Sequence, residues 1–373
     1  MNPVIVIPTF VSSRPRLDGA SIISTYDHTT PISAPGELER CLASLRGKPG
    51  VNQIIVLVGS EASIEKQALI KIQNQVAKFP DLHIAVFGAP EETLIHRRIE
   101  QLGNKSLKAE IGLEGYGAIR NFGLLVSLLF GFDAVVFIDD DVVINDEDFM
   151  ERALYGLGKL TKSGIPVLAK TGFYLNSRGE YLSDAAMHWY DAHWKTADAF
   201  NEWMLNVMEG PRLTRSNRVC GGILAVHKEA FKRVAFDPWV ARGEDMDYML
   251  NLRMYGSDMW FDNQWSLTHL PPQISPTAEA IRFRQDAYRW LYEYHKLEYS
   301  KSQIDLIQVK AESLAPYPGN MLTPDLPRRI KRTAFLRSLA TGDAKMYRKI
   351  SRSAPREAQA YAQRNCSNYF GFL

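Results

Sequence analysis

Cysteine is scarce in this chain. Cys41, Cys220 and Cys366 stand far apart among 373 residues, without metal-ligand spacing. That excludes a disulfide framework and a cysteine metal site, and predicts reduced thiols in a reducing, cytoplasmic setting. A membrane-spanning run is missing too, because the most apolar stretch, 122–138, is interrupted by Asp133. Residues 1–9 have no basic leader and only a short apolar core, so they read as a first strand and not as a signal peptide. Neither charge sign dominates. A formal net charge of +2 gives no bulk electrostatic case for nucleic acid. Internal repeats and low-complexity segments are lacking as well.

What is present is a hydrophobic fraction of 46%, enough for a sizeable core. Apolar runs at 4–7, 53–58, 82–87 and 134–138 read as strands. Between them, 37–45, 64–79 and 118–129 carry helical periodicity. The alternation predicts an α/β fold with a mainly parallel central sheet flanked by helices. Later segments are less regular. Short strands are expected at 165–169, 221–226 and 259–262, and helices at 244–255 and 278–297. The prolines at 271, 272 and 276 suggest a boundary. A catalytic domain over 1–275, with a nucleotide-binding half to about 145 and an acceptor half after it, would precede a helical extension over 276–373. That extension is Pro-broken and carries about eight excess positive charges.

The most informative stretch is Val135-Val136-Phe137-Ile138-Asp139-Asp140-Asp141. A buried strand ends in three carboxylates, and such charge near a core needs a cation or strong donors. An acidic turn opening the next helix is the plainer reading, though it suits Asp146 to Asp148 better than the triple. Alternate residues of an extended segment point the same way, so Asp139 and Asp141 could share a Mg²⁺ or Mn²⁺ ion. Three further segments carry chemistry. In Gly115-Tyr116-Gly117-Ala118-Ile119-Arg120-Asn121, glycines precede a helix whose first turn holds Arg and Asn, a pattern suited to a diphosphate. Glu244, Asp245 and Asp247 follow Arg242-Gly243 at a helix start, where they serve either as capping charge or as a general base. His269 is a structural imidazole or a further metal ligand.

The order of these segments resembles the GT-A glycosyltransferases, in particular the inverting family called family 2. The resemblance spans roughly residues 4 to 270. It rests on Val6-Ile7-Pro8-Thr9, on Gly117-Ala118-Ile119-Arg120-Asn121-Phe122-Gly123, on the aspartate triple, on Gly221-Gly222-Ile223 and on Gly243-Glu244-Asp245. It implies that Asp141 ligates a metal on the donor diphosphate and that Asp139 contacts the ribose or a metal-bound water, with Asp140 beside the donor. Arg120 and Asn121 would flank the nucleotide, Pro8 and Thr9 would border the base, and Gly117, Gly221 and Gly222 would admit the donor closely. Asp245 would be the base, Glu244 would orient it or bind the acceptor, and His269 would be a late metal ligand. The acidic reader of uracil, usual after strand two, is replaced by Val58-Gly59-Ser60-Glu61, which leaves Glu61 as a substitute. The polar segment after Thr9 is unusually long and is expected to form a specialised loop.

The reaction expected is metal-dependent sugar transfer from a nucleotide-diphosphate sugar, a UDP-sugar ahead of a GDP-sugar, to a hydroxyl acceptor. Inversion with Asp245 as base is one course. Retention, with the leaving phosphate taking the proton, is the other. Trp189, Tyr190 and Asp247 are expected on the acceptor side, with aromatic faces against sugar rings. The acceptor would be a saccharide, a lipid-linked sugar or another small hydroxyl compound. The basic tail would meet an anionic membrane or a second copy of the chain. Two rival enzymes and one non-enzyme compete. A haloacid-dehalogenase-like phosphatase would use Asp139 as nucleophile and Asp141 as acid/base, but its later G-D-x-x-x-D pattern is absent. A sugar nucleotidyltransferase would need a Gly-rich loop where Pro8-Thr9-Phe10 stands. A non-catalytic sugar-nucleotide or carbohydrate binder would need no base.

Overall fold

A computed structural model describes residues 1–13, 22–24, 26, 29–184, 188–272 and 276–372, excluding the side chains of 276–278, 371 and 372. Part of the long polar segment expected to form a loop after Thr9, residues 14–21, 25, 27 and 28, therefore lies outside the described residues. One ten-stranded sheet organises the chain. Its strands are β1 (Pro3–Ser12), β2 (Thr30–Pro31), β3 (Ile54–Ser60), β4 (Ile84–Phe87), β5 (Ala134–Ile138), β6 (Val142–Val143), β7 (Ala169–Leu175), β8 (Leu213–Arg215), β9 (Ile223–His227) and β10 (Met259–His269). The order is β4-β3-β1-β5-β9-β7-β10-β6, with β2 on β1 and β8 on β10. The half from β4 to β5 is parallel. Strand β9 runs antiparallel to both its neighbours, and β10 is parallel to β7.

Helices cover both faces: α1 (Leu38–Leu45), α2 (Glu65–Val76), α3 (Ala89–Gln101), α4 (Tyr116–Leu129), α5 (Phe149–Leu154), α6 (Thr196–Met208), α7 (Lys228–Phe231), α8 (Glu244–Met254), α9 (Pro276–Ser300), α10 (Leu326–Ala340) and α11 (Ala344–Phe372). The strand period of two divides the core. Val4, Val6, Val135 and Phe137 face one layer with Phe122 and Phe236, while Ile5, Ile7, Val136 and Ile138 face the other with Leu42 and Ile72. Strand β5 is fully enclosed, each large side chain contributing about 1.5–3 kcal/mol of burial. Such a strand cannot shift without moving both layers, so the residue after it is held firmly.

Several expectations change. Pro8 does not stop β1, which runs on to Ser12 beside β3. The strand expected at 165–169 begins where that range ends, because its apolar face continues through Phe173. Strand β10 runs to His269, well beyond the short strand expected at 259–262. The tail is broken only in part by its prolines: Pro316 and Pro318 lie between α9 and α10, whereas α11 passes through Pro355. It does not stand apart from the body. Ala280, Phe283, Trp290, Leu326 and Tyr347 belong to the same apolar cluster as β1 and β5. A buried polar clamp adds to this. Lys296 Nζ on α9 lies 2.6 Å from Asp237 Oδ2 and 2.6 Å from Asp247 Oδ1, and donates to Asn251 Oδ1 at 3.1 Å. No helix among the described residues is long and apolar enough to cross a membrane.

Candidate active site

Sheet register brings the sequence-distant pieces together. Ile138 is paired with Ile223 in the antiparallel β5–β9 ladder, so Asp139 emerges opposite Gly222. His269 is paired with Val142 across β10 and β6, which sets it beside Asp141, and Leu270 N donates to Asp141 O at 3.0 Å. A cleft of about 350 Å³ opens at this end of the sheet. Its floor holds Asp139, Asp140, Asp141, Gly221, Glu244, Asp245 and His269, and Pro8, Phe10 and Tyr116 form one side.

Each carboxylate has its own setting. Asp141 is fully buried and its Oδ2 lies 3.1 Å from His269 Nε2. Burial alone would lower the His269 pKa. The bond to Asp141 and the charges of Asp141 and Asp139 outweigh it and hold the imidazole above its ordinary value. Asp139 Oδ2 accepts from the Tyr174 hydroxyl at 3.2 Å, and its Oδ1 lies 3.4 Å from Arg120 Nη2. Burial raises the Asp139 pKa against the pull of Arg120. Asp140 Oδ2 accepts from Thr9 Oγ1 at 2.5 Å. Asp245 accepts from Gly221 N and from Met246 N, each at 2.7 Å, and each of its oxygens keeps a second lone pair.

Arg120 is the hub of the floor. Its guanidinium donates to Glu244 Oε1 at 2.8 Å and to Gly221 O at 3.0 Å, besides its pairing with Asp139. Burial opposes its charge, but Glu244 and Asp139 raise its pKa further. Arg120 therefore fixes the carboxylates relative to one another. Glu244 is buried in this pair, and its pKa is raised by that burial. The two glycines of β9's approach are sterically required. A Cβ on Gly221 would strike Arg120, and one on Gly222 would strike the Asp139 carboxylate and the Tyr174 hydroxyl.

Other sequence candidates lie elsewhere. Asn121 is buried and satisfies the backbone of Glu110 and Phe236 through both ends of its amide, so it does not flank a ligand. Gly117 is small because the backbone of Asp237 passes against it, and not because a donor does. Asp247 is fully buried against Lys296 and cannot meet an acceptor. Thr9 lies beneath the cleft, bound to Asp140. Glu61 accepts from Ser13 Oγ at 2.7 Å and does not line the cleft. Trp189 is 64% exposed outside the cleft, and Tyr190 lines a second cavity of about 390 Å³.

The sequence reading missed two groups. Tyr174 joins Asp139 to Gly222 N, which donates to its hydroxyl at 2.8 Å, and stacks on His269 with centroids 4.8 Å apart. Burial raises its pKa well above the ordinary value, so it stays a donor. Arg282 and Arg289 of α9, with Tyr317, line the cleft from the supposed extension. Their seven-residue spacing puts both arginines on one helix face, a signal available in the sequence. Arg289 packs over Trp290 at 4.5 Å from the ring centroid.

The metal expectation meets a mixed result. Among the described residues, no group of three His, Cys, Asp or Glu side chains is gathered to hold an ion. Asp141 and His269 are in contact, whereas Asp139 is drawn toward Arg120 and Tyr174. One or two carboxylates completed by water and phosphate oxygens is the usual Mg²⁺ arrangement, and this donor set fits it.

No protein-family profile matches the chain, and no curated protein matches it by sequence. Solved structures do. A mannosyltransferase from Pyrobaculum calidifontis, in complex with GDP-Man and Mn²⁺, is 13% identical with a TM-score of 0.49, covering 99% of this chain and 87% of its own. GalNAc-T7 with UDP, GalNAc and Mn²⁺ is 12% identical with a TM-score of 0.43, covering 90% of this chain and 56% of its own. Glucosyl-3-phosphoglycerate synthase from Mycobacterium tuberculosis, with Mn²⁺, UDP and phosphoglyceric acid, is 15% identical with a TM-score of 0.39, covering 77% and 76%.

Proposed function

We propose that this chain is a GT-A-type glycosyltransferase that moves a sugar from a nucleotide-diphosphate sugar to a hydroxyl acceptor, with Asp245 as general base. The observation that carries the reading is the single cleft in which the carboxylates after β5, His269 from β10 and Asp245 from α8 meet, although they are distant in sequence. Asp141 and His269 would hold a divalent cation, with Asp139 alongside. When bound, that cation supplies charge stabilisation for the departing diphosphate. Phe10, stacked on Tyr26, and Tyr116 line the side of the cleft where a nucleobase would lie. Arg120 and the Gly221 amide hold Asp139, Glu244 and Asp245 in fixed relation, so little reorganisation accompanies reaction. Asp245 takes the acceptor proton through a lone pair its two backbone donors leave available. Attack from that side gives inversion. A UDP-sugar is the preferred donor in this reading, with a GDP-sugar second.

A thermal-shift panel of UDP, GDP, dTDP and CMP compounds, with and without Mn²⁺, tests the donor half. A metal-dependent rise with one base supports it. Asp245→Asn tests the rest. Turnover should disappear while the nucleotide shift persists, and wild-type turnover would remove Asp245 from the mechanism. Phosphate release from an aryl phosphate, without sugar nucleotide, would favour the phosphatase reading instead.

A further inference from the structure

The loop before α8 serves two cavities. Gly243 has φ +75°, a left-handed turn between Arg242, which borders both cavities, and Asp245, which lines the cleft. Arg242 and Arg282 line both the cleft and the second cavity, so the two spaces adjoin at these side chains. Both volumes fall within the ~300–1,000 Å³ that small ligands occupy.

The second cavity has a definite chemical character. Its arginines are matched by acids. Arg242 Nη1 donates to Asp286 at 3.0 Å, Arg337 Nε donates to Asp191 at 2.6 Å, and Glu279 stands with Arg282 in the lining. Such a wall offers many fixed donors and acceptors without net charge, which disfavours both an anion and an apolar tail. Tyr190 adds an aromatic face, stiffened by stacking on His188 at 4.7 Å between centroids. Aromatic faces beside planar, multidentate polar groups suit a sugar ring, which presents apolar C–H faces and a rim of hydroxyls.

We infer that the second cavity is an acceptor subsite for a neutral saccharide, holding the ring next to the one that reacts at Asp245. The acceptor is then a chain of at least two sugar rings and not a single small hydroxyl compound. This rests on the glycosyltransferase reading, and the test separates the two.

The full chain, loaded with Mn²⁺ and the nucleoside diphosphate selected by thermal shift, is applied to immobilised glycans ranging from single neutral hexoses to short neutral and acidic chains. Neutral chains should be retained ~10-fold or more above single rings. Tyr190→Ala should lose that advantage ~10-fold and Tyr190→Phe should keep it, with the nucleotide shift unchanged in both. Equal retention of single rings and chains, a preference for acidic chains, or full retention by Tyr190→Ala would overturn the subsite. A nucleotide shift without glycan retention overturns it alone. An absent nucleotide shift overturns the donor reading, and this inference with it.

Discussion

Lys296→Met is the sharpest test of how the C-terminal helices support the site. Lys296 is fully buried, and its ammonium pairs with Asp237 and Asp247, each at 2.6 Å. Tyr292 also donates to Asp237, at 2.9 Å. Methionine keeps most of the side-chain volume but removes the charge, leaving two carboxylates enclosed with only neutral donors. Breaking a buried pair in this way costs about 3–5 kcal/mol, a large part of the ~5–15 kcal/mol that holds a typical domain together. The pH dependence has a definite sign. Burial outweighs Lys296 and raises the Asp247 pKa from 3.8 to about 6. That group's contribution is thus full at low pH and lost as pH rises through about 6. Without the lysine the pKa rises further, and the deficit should be smaller at pH 5 than at pH 8. Urea denaturation at both values measures it, and adding Asp237→Asn and Asp247→Asn should recover most of the loss. A deficit below ~1 kcal/mol at pH 8, or one that grows on acidification, would refute the reasoning.

Three further outcomes are expected. Glu110 is buried and that burial raises its pKa from 4.5 to about 7, so its favourable contribution fades as pH rises through 7. Glu110→Gln should then stabilise the fold at pH 8 and do little at pH 4, as read by denaturation at the two values. Tyr174→Phe strands the Gly222 amide and removes a donor from Asp139, which should cost ~1–3 kcal/mol and weaken metal-dependent nucleotide binding by calorimetry. Gly222→Ala pushes a methyl group into the Asp139 carboxylate and should weaken the same binding ~10-fold or more. Unchanged affinity would show that Asp139 has no part in it.

Much of the architecture was legible because apolar patterning is local. The run 134–138 is β5 to the residue, and 118–129 differs from α4 only at its start. Proline was the main source of error. Pro8 and Pro355 read as breaks, yet each is carried within an element by the packing of its neighbours. In the site, charges at strand and helix ends were visible, so Asp139, Asp141, Asp245 and His269 could be singled out before their meeting was known. Polar residues spent on other parts of the chain could not be told apart from these. Asn121 and Asp247 look like site residues in a motif, and only the fold reveals that Phe236 and Lys296 claim them. Tyr174 and Arg289 lie outside every motif, and their roles depend on register and on a helix docked from the far end of the chain.

That docking has a bearing on biosynthesis. The aspartates leave the ribosome long before Arg282, Arg289 and Tyr317, which wall the same cleft. A nascent chain halted ahead of α9 would carry the acidic floor with its apolar flank uncovered, a state prone to sticking to other chains. The two walls of the cleft should thus come together only late in translation, once α9 and the segment after it have been made.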